Sequence, residues 1–128
     1  MPIISHATAE EIPWRPGYRR FTLAGKDQGV SCSASYSVLE PGAGAPLHRH
    51  EAVDEIIVVL AGRLDLRIAD ARHVVEADHT VAIPAGAPHS FVALAPEPVR
   101  FIAFLPNQGA GAVTTYLEGD PPQGADRR

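Results

Sequence analysis

Residues 63–68, Arg-Leu-Asp-Leu-Arg-Ile, alternate charged and aliphatic side chains without a break. A period of two puts the aliphatics on one dry face and the charges on a wet one, which predicts a half-buried strand. Residues 55–60 have no such alternation; their run of Ile, Val and Leu predicts a strand buried on both faces, ended by Ala61-Gly62. The β-rich pieces 20–23 and 30–39 flank Gly25-Lys26-Asp27-Gln28-Gly29 and predict a hairpin. Pro41-Gly42-Ala43-Gly44-Ala45-Pro46 reads as a loop before a short polar strand at 47–50. Further strands are expected at 73–75, 80–83, 89–93, 99–105 and 112–117, with Gly, Pro or Asp between most of them.

The pattern divides the chain into an N-terminal arm (1–18), an all-β body (19–117) and a flexible tail (118–128) rich in Pro, Gly and charge. Residues 7–11 could support one helical turn before Pro13 stops it. Many short strands without crossover helices must fold back on themselves to bury an apolar face, so a sandwich or barrel is expected. Twelve prolines and 11 glycines in 128 residues fit that picture and disfavour a helical bundle.

Charge narrows the function. Eleven basic against 15 acidic residues leave a net charge of −4, with no global positive field to bind a nucleic-acid backbone. The longest aliphatic run, 56–61, is far below the ~20 residues of a membrane-crossing helix. The first residues carry neither a basic segment nor an apolar stretch of signal-peptide length, and one cysteine, Cys32, cannot form an intrachain disulfide. A cytoplasmic protein with Cys32 as buried apolar filler is expected.

Histidine carries the candidate chemistry. His48 and His50 are separated by one position, which on a strand aims both imidazoles at one face. In a chain with six histidines such a pair arises by chance often enough to prove little alone. Glu55 follows five positions later, an odd offset that a turn through residues 51–54 would absorb. At the start of an apolar strand its carboxylate needs a cation or hydrogen-bond donors to offset desolvation, although Asp54 next to it is a competing ligand. His89 follows Pro-x-Gly-x-Pro and shares strand parity with Phe91, which places an imidazole beside an apolar wall and makes Phe91 the candidate pocket residue. His6, His73 and His79 read as solvated side chains, and Trp14 and Tyr18 as packing residues at the core or a subunit contact.

The stretch Gly42-x5-His48-x-His50-x4-Glu55-x6-Gly62 resembles the first motif of the cupin superfamily at every element and spacing. Pro84-Ala85-Gly86-Ala87-Pro88-His89 is similar to the centre of the second motif, while Asp78 and Ala93 replace its first Gly and final Asn. The resemblance implies an antiparallel double-stranded β-helix, or jelly-roll barrel, in which His48, His50, Glu55 and His89 bind a divalent metal. It also favours Glu55 over Asp54. Three imidazoles and a carboxylate suit Fe, Mn, Ni, Co or Zn better than Mg or Ca. The same resemblance implies a metal-dependent enzyme acting on a small enolisable or hydroxy-keto molecule, by dioxygenase, cyclase or isomerase-type chemistry. In that chemistry Glu55 would be the catalytic proton acceptor. A non-catalytic binding cupin with a sensing or storage role is the alternative, and a homodimer is expected, through an exposed sheet edge and a free N-terminal arm.

Overall fold

The structure, a computed structural model, describes residues 3–106 and 114–124. Among these residues eleven strands follow one another: β1 (Glu10–Arg15), β2 (Tyr18–Ala24), β3 (Ser33–Leu39), β4 (Gly44–His50), β5 (Glu55–Ala61), β6 (Arg63–Ile68), β7 (Ala71–Glu76), β8 (His79–Ile83), β9 (His89–Ala93), β10 (Val99–Leu105) and β11 (Thr114–Tyr116). All pairings are antiparallel. One sheet has the order β1-β2-β3-β10-β5-β8 and the other β11-β4-β9-β6-β7. Apart from the hairpins β1-β2-β3 and β6-β7, consecutive strands lie in opposite sheets, so most neighbours within a sheet are distant in sequence, as in a jelly roll.

Alternation builds the core. On β10, Val99, Phe101, Ala103 and Leu105 are buried while Arg100 and Phe104 face out. Leu64 and Leu66 of β6 are buried against them from the opposite sheet, as the 63–68 pattern predicts. On β5 the expectation of burial on both faces fails: Ile57 and Val59 are buried, whereas Ile56 and Leu60 are each more than two-fifths exposed. The run is aliphatic throughout, so periodicity could not reveal that only one face is covered.

Both ends of the chain depart from the expected arm and tail. His6–Thr8 form a single 3-10 turn capped by the Ser5 side chain, and residues 10–15 then pair with β2 as the edge strand of the larger sheet. Pro13 is tolerated there because an edge strand need not donate every backbone N–H. Ile12 and Trp14 are buried, so β1 belongs to the barrel. At the other end, the Gln123 N–H donates to the Trp14 carbonyl and Arg15 Nη2 donates to the Asp120 carbonyl, which ties residues 120–123 to β1. β3 begins at Ser33, and Cys32, expected in the core, is exposed in the turn before it. Part of the strand expected at 112–117 lies outside the described residues. No helix among the described residues is long and apolar enough to cross a membrane.

Candidate metal centre

The hydrogen-bond ladder brings the four expected residues to one end of the barrel. His48 and His50 are two apart on β4 and both point inward, nearly fully buried. His89, the first residue of β9, is the direct cross-strand partner of His48. Glu55 opens β5 in the other sheet, so the site spans the two layers. The expected turn through residues 51–54 is present, and it lets the odd offset between His50 and Glu55 end on a common side.

Two loops are pinned together to hold this end. Asp54, the competing ligand, accepts a hydrogen bond from the Ala85 N–H at 2.8 Å, and the Gly86 N–H donates to the His50 carbonyl at 2.8 Å. Asp54 therefore positions the loop that delivers His89. Gly86 has φ +81°, as position i+2 of a type II turn closed by Ala87 N–H to Pro84 O requires. Asp78, which replaces the glycine of the second motif, has φ +66°, so the backbone keeps the left-handed turn and asparate's short polar side chain tolerates it. Ala93, in place of the motif's asparagine, is buried and exchanges backbone hydrogen bonds with Gly42 and Ala43.

One ring nitrogen of each histidine is engaged away from the centre. His48 Nδ1–H donates to the Pro46 carbonyl (2.7 Å) and His89 Nδ1–H to the Ala87 carbonyl (3.0 Å). A carbonyl oxygen only accepts, so both Nδ1 atoms carry a proton, and in the neutral ring it is Nε2 that presents the lone pair. His50 Nδ1 lies 2.9 Å from Thr114 Oγ1. One ligand atom from each of the three histidines lies within 4.8 Å of the others. Glu55 Oε1 is 3.2 Å from His50 Nε2, in hydrogen-bond geometry, and 3.3 Å from His89 Nε2. That second contact is poorly aligned for a hydrogen bond, and His89 Nε2 is left buried without a hydrogen-bond partner. Glu55 thus adjoins two of the imidazoles without joining the compact group of three.

Electrostatics keeps the donors in their binding forms. Burial, reinforced by the neighbouring His89, lowers the His48 pKa to about 3, so this imidazole is neutral at pH 7. Burial pushes the Glu55 carboxyl up, but the adjoining His50 and His89 side chains outweigh it and hold the group below the usual carboxylate range. A neutral imidazole, an ionised carboxylate and a buried ring nitrogen without a hydrogen-bond partner are the features of a transition-metal site. The three histidines fit a metal ion, with Glu55 in reach as a further oxygen donor.

The centre opens onto a cavity. Phe91 lines it, as its parity with His89 predicts, and so does Phe101, which that reasoning did not single out. The two rings meet edge to face, with centroids 5.6 Å apart, and Tyr18 packs on both. Phe104, two-fifths exposed, faces away from it. Sequence reasoning also missed Tyr116, which stacks on His48 (centroids 5.5 Å, interplanar angle 24°), and Thr114 beneath His50. Both lie on the three-residue β11, whose pairing with β4 sets Thr114 opposite His50 and Tyr116 opposite His48. Strand parity alone gave no reason to place that short element at the site.

Comparison with known proteins agrees with this architecture. The Cupin domain family matches residues 35–105, and the chain belongs to the cupins. Among solved structures it is similar to the polyketide cyclase RemF from Streptomyces resistomycificus, with TM-score 0.78 and 19% identity over 98% of this chain and 89% of that one. It is similar to KdgF from Halomonas sp., with TM-score 0.72 and 21% identity over 83% of this chain and 94% of that one. Oxalate decarboxylase from Bacillus subtilis superposes with TM-score 0.75 and 20% identity, over 89% of this chain and 31% of that longer one. No curated protein matches the sequence. At these identities the solved structures establish the fold.

Proposed function

We propose that this cupin is a metal-dependent enzyme that binds a small enolisable or hydroxy-keto molecule and moves a proton at the carbon beside its carbonyl. The observation that carries the reading is the pair of imidazoles whose Nδ1–H groups are tied to backbone carbonyls. Their Nε2 lone pairs are thereby aimed into the cavity end of the barrel next to an ionised carboxylate. Such outer hydrogen bonds fix tautomer and ring orientation in metal sites. His48, His50 and His89 would hold Fe, Mn, Ni, Co or Zn, with Glu55 as fourth donor. The ion, when bound, supplies Lewis acidity toward a substrate oxygen, and a redox-active one adds chemistry with dioxygen.

The chain's own residues do the rest. Phe91, Phe101 and Tyr18 enclose the substrate and exclude water. Glu55 takes the proton from carbon onto a carboxylate oxygen, its place at the centre set by the first position of β5. Enzymes among the structural relatives, a polyketide cyclase and an oxalate decarboxylase, support catalysis in this fold.

The test is deuterium incorporation from D2O into a hydroxy-ketone panel, followed by NMR on protein of known metal content, with an oxygen electrode in parallel. Metal-dependent exchange that disappears in Glu55→Gln while the metal stays bound is the expected result. Metal-loaded protein that binds the panel yet neither exchanges protons nor consumes oxygen would overturn the enzymatic reading and identify a binding cupin.

A further inference from the structure

The wall of the cavity facing the metal centre is built by β1, β2 and β3, and it is not purely apolar. Arg15 and Arg20 line it, together with Ser35 and Ser37. Arg20 has the inward parity of Tyr18 on β2, and its cross-strand partners Ile12 and Ser37 are both buried. Its guanidinium lies 4.3 Å from the centroid of the Trp14 ring. Arg19, the next residue in the chain, takes the outward face and pairs with Glu11 at 2.8 Å.

Arg15 is held from two sides. Nη2 donates to the Asp120 carbonyl, and the guanidinium lies 5.5 Å from the centroid of Tyr116, the ring that stacks on His48. Its Nε is buried with no hydrogen-bond partner. A buried donor of a charged group costs free energy unless an acceptor reaches it. Among the described residues lining this cavity Glu55 is the one carboxylate, and it is turned toward His50 and His89. Two guanidiniums thus share a cavity with a metal centre whose one carboxylate among the described lining residues is turned toward the histidines.

We infer that Arg15 and Arg20 form an anion subsite that selects substrates carrying a carboxylate at the end remote from the metal-binding oxygen. A carboxylate supplies the acceptor that Arg15 Nε lacks, and planar guanidinium donors match its two oxygens. Stacking on Trp14 and Tyr116 keeps both cations within an aromatic wall instead of in bulk water, where the attraction would be weaker. The subsite deepens the reading proposed above and rests on it: one end of the substrate meets the metal, the other meets the arginines.

The test compares 3,4-dihydroxybenzoate with its methyl ester by calorimetry on fully metal-loaded protein, since the catechol end reports the metal and only the acid has a carboxylate. The acid is expected to bind about 10- to 100-fold tighter than the ester in the parent chain, the range of a charge-assisted hydrogen bond. Arg15→Gln and Arg20→Gln should each erode that preference while leaving bound metal and ester affinity unchanged, which also shows that the variants are folded. Arg15→Lys should keep part of it. Equal affinities for acid and ester, or a preference untouched in both glutamine variants, would overturn the subsite and leave the metal reading standing. Failure of either probe to respond to metal loading would overturn both.

Discussion

His48 and His89 face each other directly across the β4–β9 ladder, with ring centroids 4.1 Å apart. Residues 41 positions apart in the chain are thereby fixed at ligand spacing by backbone hydrogen bonding, before any ion contributes. The centre is preorganised by the sheet, and metal binding should depend on the groups that orient the rings as well as on the rings.

Thr114 tests that dependence. Its hydroxyl meets His50 at Nδ1, the ring nitrogen opposite the one that faces Glu55. Thr114→Val keeps the β-branched shape on β11 and removes the hydroxyl. Metal affinity should fall about 10- to 100-fold, as for other outer-sphere partners, with little change in the circular-dichroism spectrum. Competition titration against a chelator measures it.

Acid should destabilise the metal-free protein early. Burial lowers the His48 pKa to about 3 in the folded chain, below the ordinary imidazole value of 6.5, so between those values the unfolded chain binds a proton that the folded one does not. Stability is then fully present above pH 6.5 and falls as pH drops toward 3. The depressed Glu55 pKa acts in the same direction below 4.5. Thermal unfolding of apoprotein from pH 8 to pH 4 should show a declining midpoint, and His48→Gln should flatten the decline between pH 6.5 and 4.5.

Phe91 belongs to both the core and the cavity wall. It is buried and contacts Tyr18 and Phe101. Phe91→Ala should cost about 3–5 kcal/mol in denaturant unfolding. Phe91→Leu should lose much less stability while still weakening binding of an aromatic ligand measured by calorimetry.

A homodimer remains the expected assembly, by a different route from a free arm, since β1 is paired within its own sheet. Ile56, Leu60 and Phe104 are exposed on the outer face of β5 and β10, where Phe104 and Ile56 are register partners. Burying such a sheet face against a second copy would remove it from water. Light scattering should give a dimer for the parent chain and a monomer for an Ile56→Asp, Phe104→Asp double variant. A parent monomer would contradict this assembly.

The fold was readable where alternation was strict. The patterns at 63–68 and 99–105 gave the faces of β6 and β10 as they stand. It was unreadable where composition was uniform, as on β5, or where long-range pairing overrode a local proline, as on β1. The resemblance to two cupin motifs pointed to His48, His50, Glu55 and His89, and the structure groups the three histidines with Glu55 beside two of them. Arg15, Arg20 and Tyr116 reach the cavity, and Thr114 the ring of His50, from the two ends of the chain, a placement set only when the sheets close.

X-ray absorption spectroscopy on protein loaded with one equivalent of zinc or manganese addresses the metal centre most directly. One bound ion is expected, with a spectrum of about three imidazole ligands at zinc–nitrogen distances near 2.0–2.1 Å and one carboxylate oxygen that is lost in Glu55→Gln. An ion without histidine scattering, or metal content unchanged in His48→Ala and His89→Ala, would contradict it.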